Sequence, residues 1–468
     1  MHIQKISFSI VNLINFLLFL FPISFILGNF IINLEIFFIS ILGIILYKKD
    51  LFKITKDIQT LLILFFFAVV LLSTLVNYFQ ENGNTVLKSF LYLRYLIFLL
   101  VIKCLIKNND FNFKYFLFSC LFCSVFLSVD VIYQFFSGKD FFGFPKHLHV
   151  SSGFFGDEHV AGSYIQKFGS LGIFLIPFLF FKKKEKLFSI LVPVFIICFI
   201  GIFLSGNRMP VVLFIMYSLL ILIFIKEIRI PIIIGSILSL IISISILNTD
   251  EEKKRMYSSF YYNVVSILPM IFDELGRKYP ELKDDQNKTF DYHKWDAQKD
   301  TKSKYFYYGM LQKKIEEEDK KKYKIFHFGS GHAVTFITAI DTWMDRPILG
   351  NGIKSFGKNC AKKRHLPNRT CQSHPHNYYL DILNDTGLIG LIIIISSLFL
   401  SLFKKFKSYK KKVNKYYFIF WVFIFVLLIE FFPFRSSGGF FSTWNSAYIF
   451  FIVAIVLSDF KKNFKSQN

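Results

Sequence analysis

The chain has 468 residues, of which 54% are hydrophobic and 63 are Phe, and its mean hydropathy is +0.48. A soluble core of this length has no use for so much apolar surface. The apolar residues also come in runs near bilayer-crossing length, which excludes a soluble protein and marks a polytopic membrane protein. The formal net charge of +23 does not signal nucleic acid, because much of the Lys excess lies in short loops between apolar runs, where it sets topology.

The first apolar run follows His2 and Lys5, and no small-residue cleavage site comes after it. It reads as a membrane helix and not as a removed signal peptide. Twelve candidate spans follow in order, at roughly 8–27, 30–47, 59–79, 86–106, 115–136, 162–181, 187–205, 209–225, 230–247, 387–403, 416–432 and 443–458. Backbone polar groups in lipid are satisfied only in helices or closed barrels, and runs without alternation are helices. The expected fold is therefore all-α. Lysine-rich segments follow the second, fourth, sixth, eighth, tenth and twelfth spans, among them Lys48, Lys103, Lys182, Lys226, Lys404 and Lys461. All six fall on one side, so both termini are expected in the cytoplasm.

This divides the chain into an N-terminal membrane region of nine spans (1–247), a large extracytoplasmic loop (248–386) and a C-terminal region of three spans (387–468). Within the loop, Glu281 to Lys324 is densely charged and poor in aliphatics, as in a solvated insert. Phe326 to Asp381 is richer in Gly, Trp and apolar residues and is expected to pack onto the membrane domain. Cys360 and Cys371 flank ten residues of this second part. In an oxidising compartment they suit a disulfide that would pin the turn before His374. A metal pair with His365, His374 or His376 is the rival, and unpaired thiols remain a third option.

Charges in or beside spans are costly and point to function. Arg208, in Ser205-Gly206-Asn207-Arg208-Met209-Pro210, sits near a helix start and suits a phosphate or diphosphate. The alternative is snorkelling to lipid headgroups. Arg435 lies in a similar link on the same side, and Arg346 in a Gly-rich turn is another possible phosphate contact. Arg94 lies mid-span with no evident partner. In the 137–161 loop, Asp157, Glu158 and His159 could bind a sugar or a cation, and either carboxylate could simply cap the next helix. The last constellation is His374-Pro375-His376-Asn377, placed where the hydrophilic loop gives way to the tenth span. An imidazole there can handle protons at neutral pH.

These motifs together resemble the O-antigen ligase and O-antigen polymerase family. His376-Asn377, nine residues and then Gly387-Leu388-Ile389-Gly390 look like the ligase signature of His-Asn, a spacer and Gly-x-x-Gly. Arg346 to Gly352 looks like the family's Pro-Leu-x-Gly-x-Gly turn, and Ser152–Gly162 and Ser205–Arg208 resemble its Gly-x-Phe and small-residue-then-Arg segments. The likeness spans roughly residues 140–460. It departs at Ser330-Gly331-His332, where many relatives carry Arg.

The resemblance implies a GT-C-like bacterial envelope glycosyltransferase with about twelve transmembrane helices and one large, mainly helical periplasmic loop. It would act at the periplasmic face of the inner membrane, with no cofactor and no metal. The donor would be a glycan on undecaprenyl diphosphate. In a ligase the acceptor is lipid A–core, and in a polymerase it is another glycan repeat. The His-Asn spacing favours ligase. A protein-acceptor ligase is a further branch, and a lipid-linked glycan transporter is the reading from another class. His376 would be the general base. Arg208, Arg346 and Arg435 would hold the diphosphate, and His374 and Asn377 would support the site.

Overall fold

The computed structural model describes residues 2–53, 56–77, 84–147, 150–265, 331–363, 369–408 and 415–458. The charged stretch Glu281 to Lys324, His365, and Lys461 with the rest of the C-terminal tail lie outside these residues. Among the described residues the secondary structure is helical apart from two isolated bridges, Lys139 with Pro145 and His147 with Val150. The protein is a polytopic all-α membrane protein.

Among the described residues, nine helices are long and apolar enough to cross a bilayer: Phe8–Leu27, Asn29–Tyr47, Ile58–Val76, Val86–Lys107, Phe113–Ser137, Ala161–Phe180, Lys184–Leu204, Lys226–Thr249 and Tyr378–Lys407. They coincide with nine of the twelve expected spans. The other three positions hold shorter apolar helices, Arg208–Phe224, Lys415–Glu430 and Thr443–Leu457, of 17, 16 and 15 residues. At about 1.5 Å per residue, these fall short of a hydrocarbon core about 30 Å thick. Every residue from Asn445 to Leu457 is buried. A helix sheathed in protein need not match the bilayer's thickness, because lipid does not touch it.

Lipid offers no hydrophobic drive for helix pairing, so the bundle relies on dense packing. Phenylalanine fills its centre: the Phe21 and Phe451 rings lie 5.0 Å apart, and Phe116 sits 4.9 Å from the same Phe451 ring. Small residues let backbones close in. A Cβ on Gly172 would strike the backbone of Leu121, and one on Gly201 would lie 2.6 Å from Ser128 Cβ.

Two helices are irregular. The span Ala161–Phe180 contains a π-turn, Ile165–Gly169, which carries Lys167 at its centre. The helix Tyr378–Ser408 bends at Gly387 (φ 65°, ψ −167°), so it begins in the expected loop and runs on into the membrane.

The described part of the stretch expected to pack onto the membrane domain does so through specific bonds. Asn77 Nδ2 donates to the Gly350 carbonyl at 3.1 Å, and the Ile353 amide to Thr74 Oγ1 at 3.2 Å.

Candidate active site

The turn 372–377 is held from three sides. On its first side Cys360 and Cys371 are joined in a disulfide with a Cα–Cα distance of 5.2 Å, which removes both thiolates from metal binding. This bridge is packed beside Ala339 and Phe356. Arg369, just before it, forms a buried ion pair with Asp341, and the Thr370 amide donates to Thr338 Oγ1 at 3.1 Å. The bridge thus anchors the chain to the Gly331–Met344 helix immediately before the histidines.

On the second side Asn377 caps the following helix: its Oδ1 accepts from the amides of Tyr379 (3.0 Å) and Leu380 (3.3 Å). Its Nδ2 donates to the carbonyl of Pro433 at 2.8 Å. Asn377 is buried and its side chain is occupied by these bonds. On the third side the Ser437 amide donates to the His376 carbonyl at 2.8 Å.

Three histidines converge on this turn. The His374 and His376 rings have centroids 4.2 Å apart, and His332 lies 5.2 Å from His376. His376 Nε2 meets Gln372 Oε1, an atom with only lone pairs to offer. The neutral His376 ring therefore carries its proton on Nε2 and leaves Nδ1 as the basic nitrogen. His374 Nδ1 lies 2.9 Å from Ser373 Oγ, and its Nε2 is buried with no hydrogen-bond partner among the described residues. Burial lowers the pKa of His376. Burial, then the charge of His376, pushes His374 down to about 4. His332 also falls to about 4, although part of it reaches solvent, through burial and then the charges of His376 and Arg208. At neutral pH the cluster is an uncharged base. Among the described residues, no group of three His, Cys, Asp or Glu is arranged to hold a metal ion.

The charge of Arg208 is felt at His332. This residue opens the Arg208–Phe224 helix, is half-buried, and its guanidinium lies over the Phe260 ring at 5.6 Å. Its position follows from the residue before it. Asn207 Oδ1 accepts from the Gly162 amide at 2.9 Å, and its Nδ2 donates to the His159 carbonyl at 2.9 Å. Gly162 leaves the room this requires, since a Cβ there would meet Asn207 Cβ at 2.8 Å. The small-residue-then-Arg link thus docks on the start of the earlier span Ala161–Phe180. Asn207, not Asp157 or Glu158, caps that helix start; the expected carboxylate cap does not form. Asp157 instead lies, fully exposed, 3.3 Å from His147.

Two expected phosphate contacts lie elsewhere. Arg435 is turned inward: it is buried, 2.9 Å from Glu430 Oε2, and its guanidinium lies over Tyr378 at 5.2 Å. Burial alone would lower its pKa, but the Glu430 carboxylate more than offsets this and raises it. Glu430 also pairs with Lys167 and accepts from Tyr378 Oη at 2.7 Å. Arg346 follows the far end of the 14-residue Gly331–Met344 helix, so about 20 Å of helical rise separates it from the His332 end. Its turn packs on the bend at Gly387, where the Leu388 amide donates to the Pro347 carbonyl at 2.9 Å.

Sequence reasoning passed over Gln372 and Lys167. Lys167 carried a usable signal, a lysine inside an apolar span. Gln372 carried none, since its role depends on the fold of the turn.

The O-antigen ligase family matches residues 193–395 of the chain. That stretch takes in Arg208, His332, the disulfide, the histidine turn and Gly387, and it ends before Arg435. No curated protein matches the chain.

Proposed function

Through residues 193–395 the chain belongs to the O-antigen ligase family, whose activity is glycan transfer of the ligase or polymerase type, and on that premise we propose that it moves a glycan from undecaprenyl diphosphate to lipid A–core. The reaction takes place at the periplasmic face of the bacterial inner membrane, with both termini in the cytoplasm. An acceptor hydroxyl attacks the anomeric carbon of the donor glycan. His376 Nδ1 takes the hydroxyl proton, the glycosyl–phosphate bond breaks, and the lipid diphosphate leaves with the bonding electrons. Arg208 offsets the charge that develops on the leaving group. No nucleotide is needed, because the diphosphate ester carries the energy of transfer.

The observation that supports this most is the neutral His376 ring, its basic nitrogen oriented by Gln372, in a cluster that senses the charge of Arg208. A base held uncharged at neutral pH beside a fixed cation suits proton removal from a hydroxyl together with departure of an anion.

His376→Ala should leave the protein in the membrane and abolish glycan attachment in cells, read by surface glycan profiling. Wild-type-like surface glycan would overturn the assignment. The same profile separates the branches: unattached lipid-linked polymer marks lost ligation, and single repeats on core mark lost polymerisation.

A further inference from the structure

The chain leaves the span Phe113–Ser137 and turns back along it. The Phe141 amide donates to Asp130 Oδ1 at 2.9 Å, and the Phe154 amide to Asp130 Oδ2 at 3.0 Å. Asp130 lies seven residues before Ser137, so the segment returns about 10 Å of helical rise inside the end of its own helix. The Phe141 ring lies 4.7 Å from Tyr133 and 6.2 Å from Phe126, which is deeper still. The helix has 25 residues, about 37 Å of rise against a hydrocarbon core about 30 Å thick. Even with all of that excess at this end, Asp130 stays within the core.

Irregular backbone at membrane depth must find partners for its polar groups inside the protein. From Lys139 to Lys146 every amide has one. Lys139 donates to Ser137 Oγ at 3.3 Å, and Asp140 to the Phe144 carbonyl at 3.0 Å. Phe142 and Phe144 donate to Asp140 Oδ1 at 3.0 and 2.7 Å. Gly143 donates to the Asp140 carbonyl at 3.2 Å and Lys146 to the Gly138 carbonyl at 2.8 Å. Phe141 uses Asp130, and Pro145 has no N–H. Gln134 Nε2 also donates to the Phe144 carbonyl at 3.2 Å. Asp130 and Asp140 are buried. A loop in water needs no such closure, because solvent supplies the partners.

The rings of the same segment face outward. Phe141, Phe142 and Phe144 are exposed, Phe142 to 64%. They extend a stripe of exposed rings on one face of the span, Phe118, Phe122, Phe126 and Tyr133. Along it the Phe118 and Phe122 rings lie 6.4 Å apart, and Phe122 and Phe126 6.3 Å apart. An exposed apolar stripe on a membrane span faces acyl chains, and Phe141 joins that stripe through Tyr133. Lys139 is exposed at the edge of the segment, where its long stem lets the ammonium reach headgroup level.

We propose that residues 139–146 form a re-entrant segment whose Phe141, Phe142 and Phe144 rings sit among the acyl chains of the bilayer, with Asp130 and Asp140 closing its backbone. The partner of this surface is lipid. Its lipid contact holds whichever reaction the histidine turn carries out.

The test is nitroxide accessibility in the full chain in lipid nanodiscs. Four cysteines are buried and the other two are bridged, so a thiol-specific nitroxide reports on Phe142→Cys. Phe122→Cys, on the stripe, gives the lipid reference. Glu158→Cys, at an exposed position of the 137–161 loop, gives the water reference. Collision with oxygen, which concentrates in acyl chains, is compared with collision with a water-soluble nickel chelate. The oxygen-to-nickel ratio at 142 should match that at 122 and exceed that at 158 several-fold. Phe144→Cys gives the same readout should the label at 142 disturb the segment. A ratio at both sites equal to that at 158 puts the segment in water and overturns the insertion. Low collision with both reagents puts protein over the rings and overturns it as well.

Discussion

His376 adopts a left-handed backbone, φ 57°, that side chains other than glycine rarely take. Such a conformation costs on the order of 1–3 kcal/mol and persists only where its surroundings impose it. Here Ser437 holds the carbonyl, Asn377 clamps the next residue to the 433–435 segment, and Gln372 holds the ring. The strain aims the imidazole into a cluster in which all three histidines are kept below the ordinary histidine pKa. A base must be neutral to act, so transfer should stay level from pH 8 down past about 6.5, the free histidine value, and fail only on further acidification. A rate that halves near pH 6.5, measured with purified protein and lipid-linked donor, would contradict this. Stability follows the same sign. The unfolded chain binds protons on His374 from about pH 6.5, whereas the folded one does so only near its depressed value of about 4. Stability is therefore fully present above that window and declines as pH falls through it. The imidazole pair was legible in the sequence because two histidines around a proline at a lipid boundary are unusual. Gln372 and His332 were not, since they reach His376 only once the loop has folded.

At the scale of elements, the nine-residue spacer between Asn377 and Gly387 has a physical meaning. Asn377 starts a helix, Gly387 bends it, and the intervening turns set the distance between the histidines and the bend. The bend exists because the 346–352 turn lies against it. A Cβ on Gly387 would lie 2.6 Å from the Gly350 amide and closer still to the Ile348 carbonyl, and the residue's φ is positive. Gly387→Ala should therefore cost on the order of 1–3 kcal/mol in backbone strain, with the clash in addition. Thermal melting in detergent should show the loss, and a melting point equal to the parent's would refute the packing argument. The two glycine motifs are separate signatures in the sequence; folded, they are two halves of one contact. The disulfide tightens the same region, since closing a loop of this size stabilises by roughly 3 kcal/mol.

At the scale of the whole molecule, the buried ions tie the membrane bundle to the histidine turn. Glu430 ends the Lys415–Glu430 helix and meets Lys167 from the π-turn, Arg435 from the following loop and Tyr378 from the histidine helix. Breaking a buried ion pair by removing one partner costs about 3–5 kcal/mol, because the remaining charge stays buried. Glu430→Gln leaves two cations facing each other and should lower the melting point sharply. Adding Lys167→Met should recover part of the loss, and a double variant no better than the single would count against the pairing.

Composition and the placement of lysines were enough to determine a polytopic helical membrane protein and the positions of most of its helices, because a bilayer demands long apolar runs and punishes charge within them. The His-Asn…Gly-x-x-Gly spacing was likewise readable, since it is set within a single helix. Which cations serve the site was decided only by tertiary structure. Arg208, Arg346 and Arg435 look alike in the chain. Folding leaves the first half-buried at a helix start, carries the second to the far end of a helix and pairs the third with a carboxylate five residues away. A guanidinium is available to a ligand only where the fold supplies no anion of its own, and that depends on distances between segments that sequence spacing does not encode.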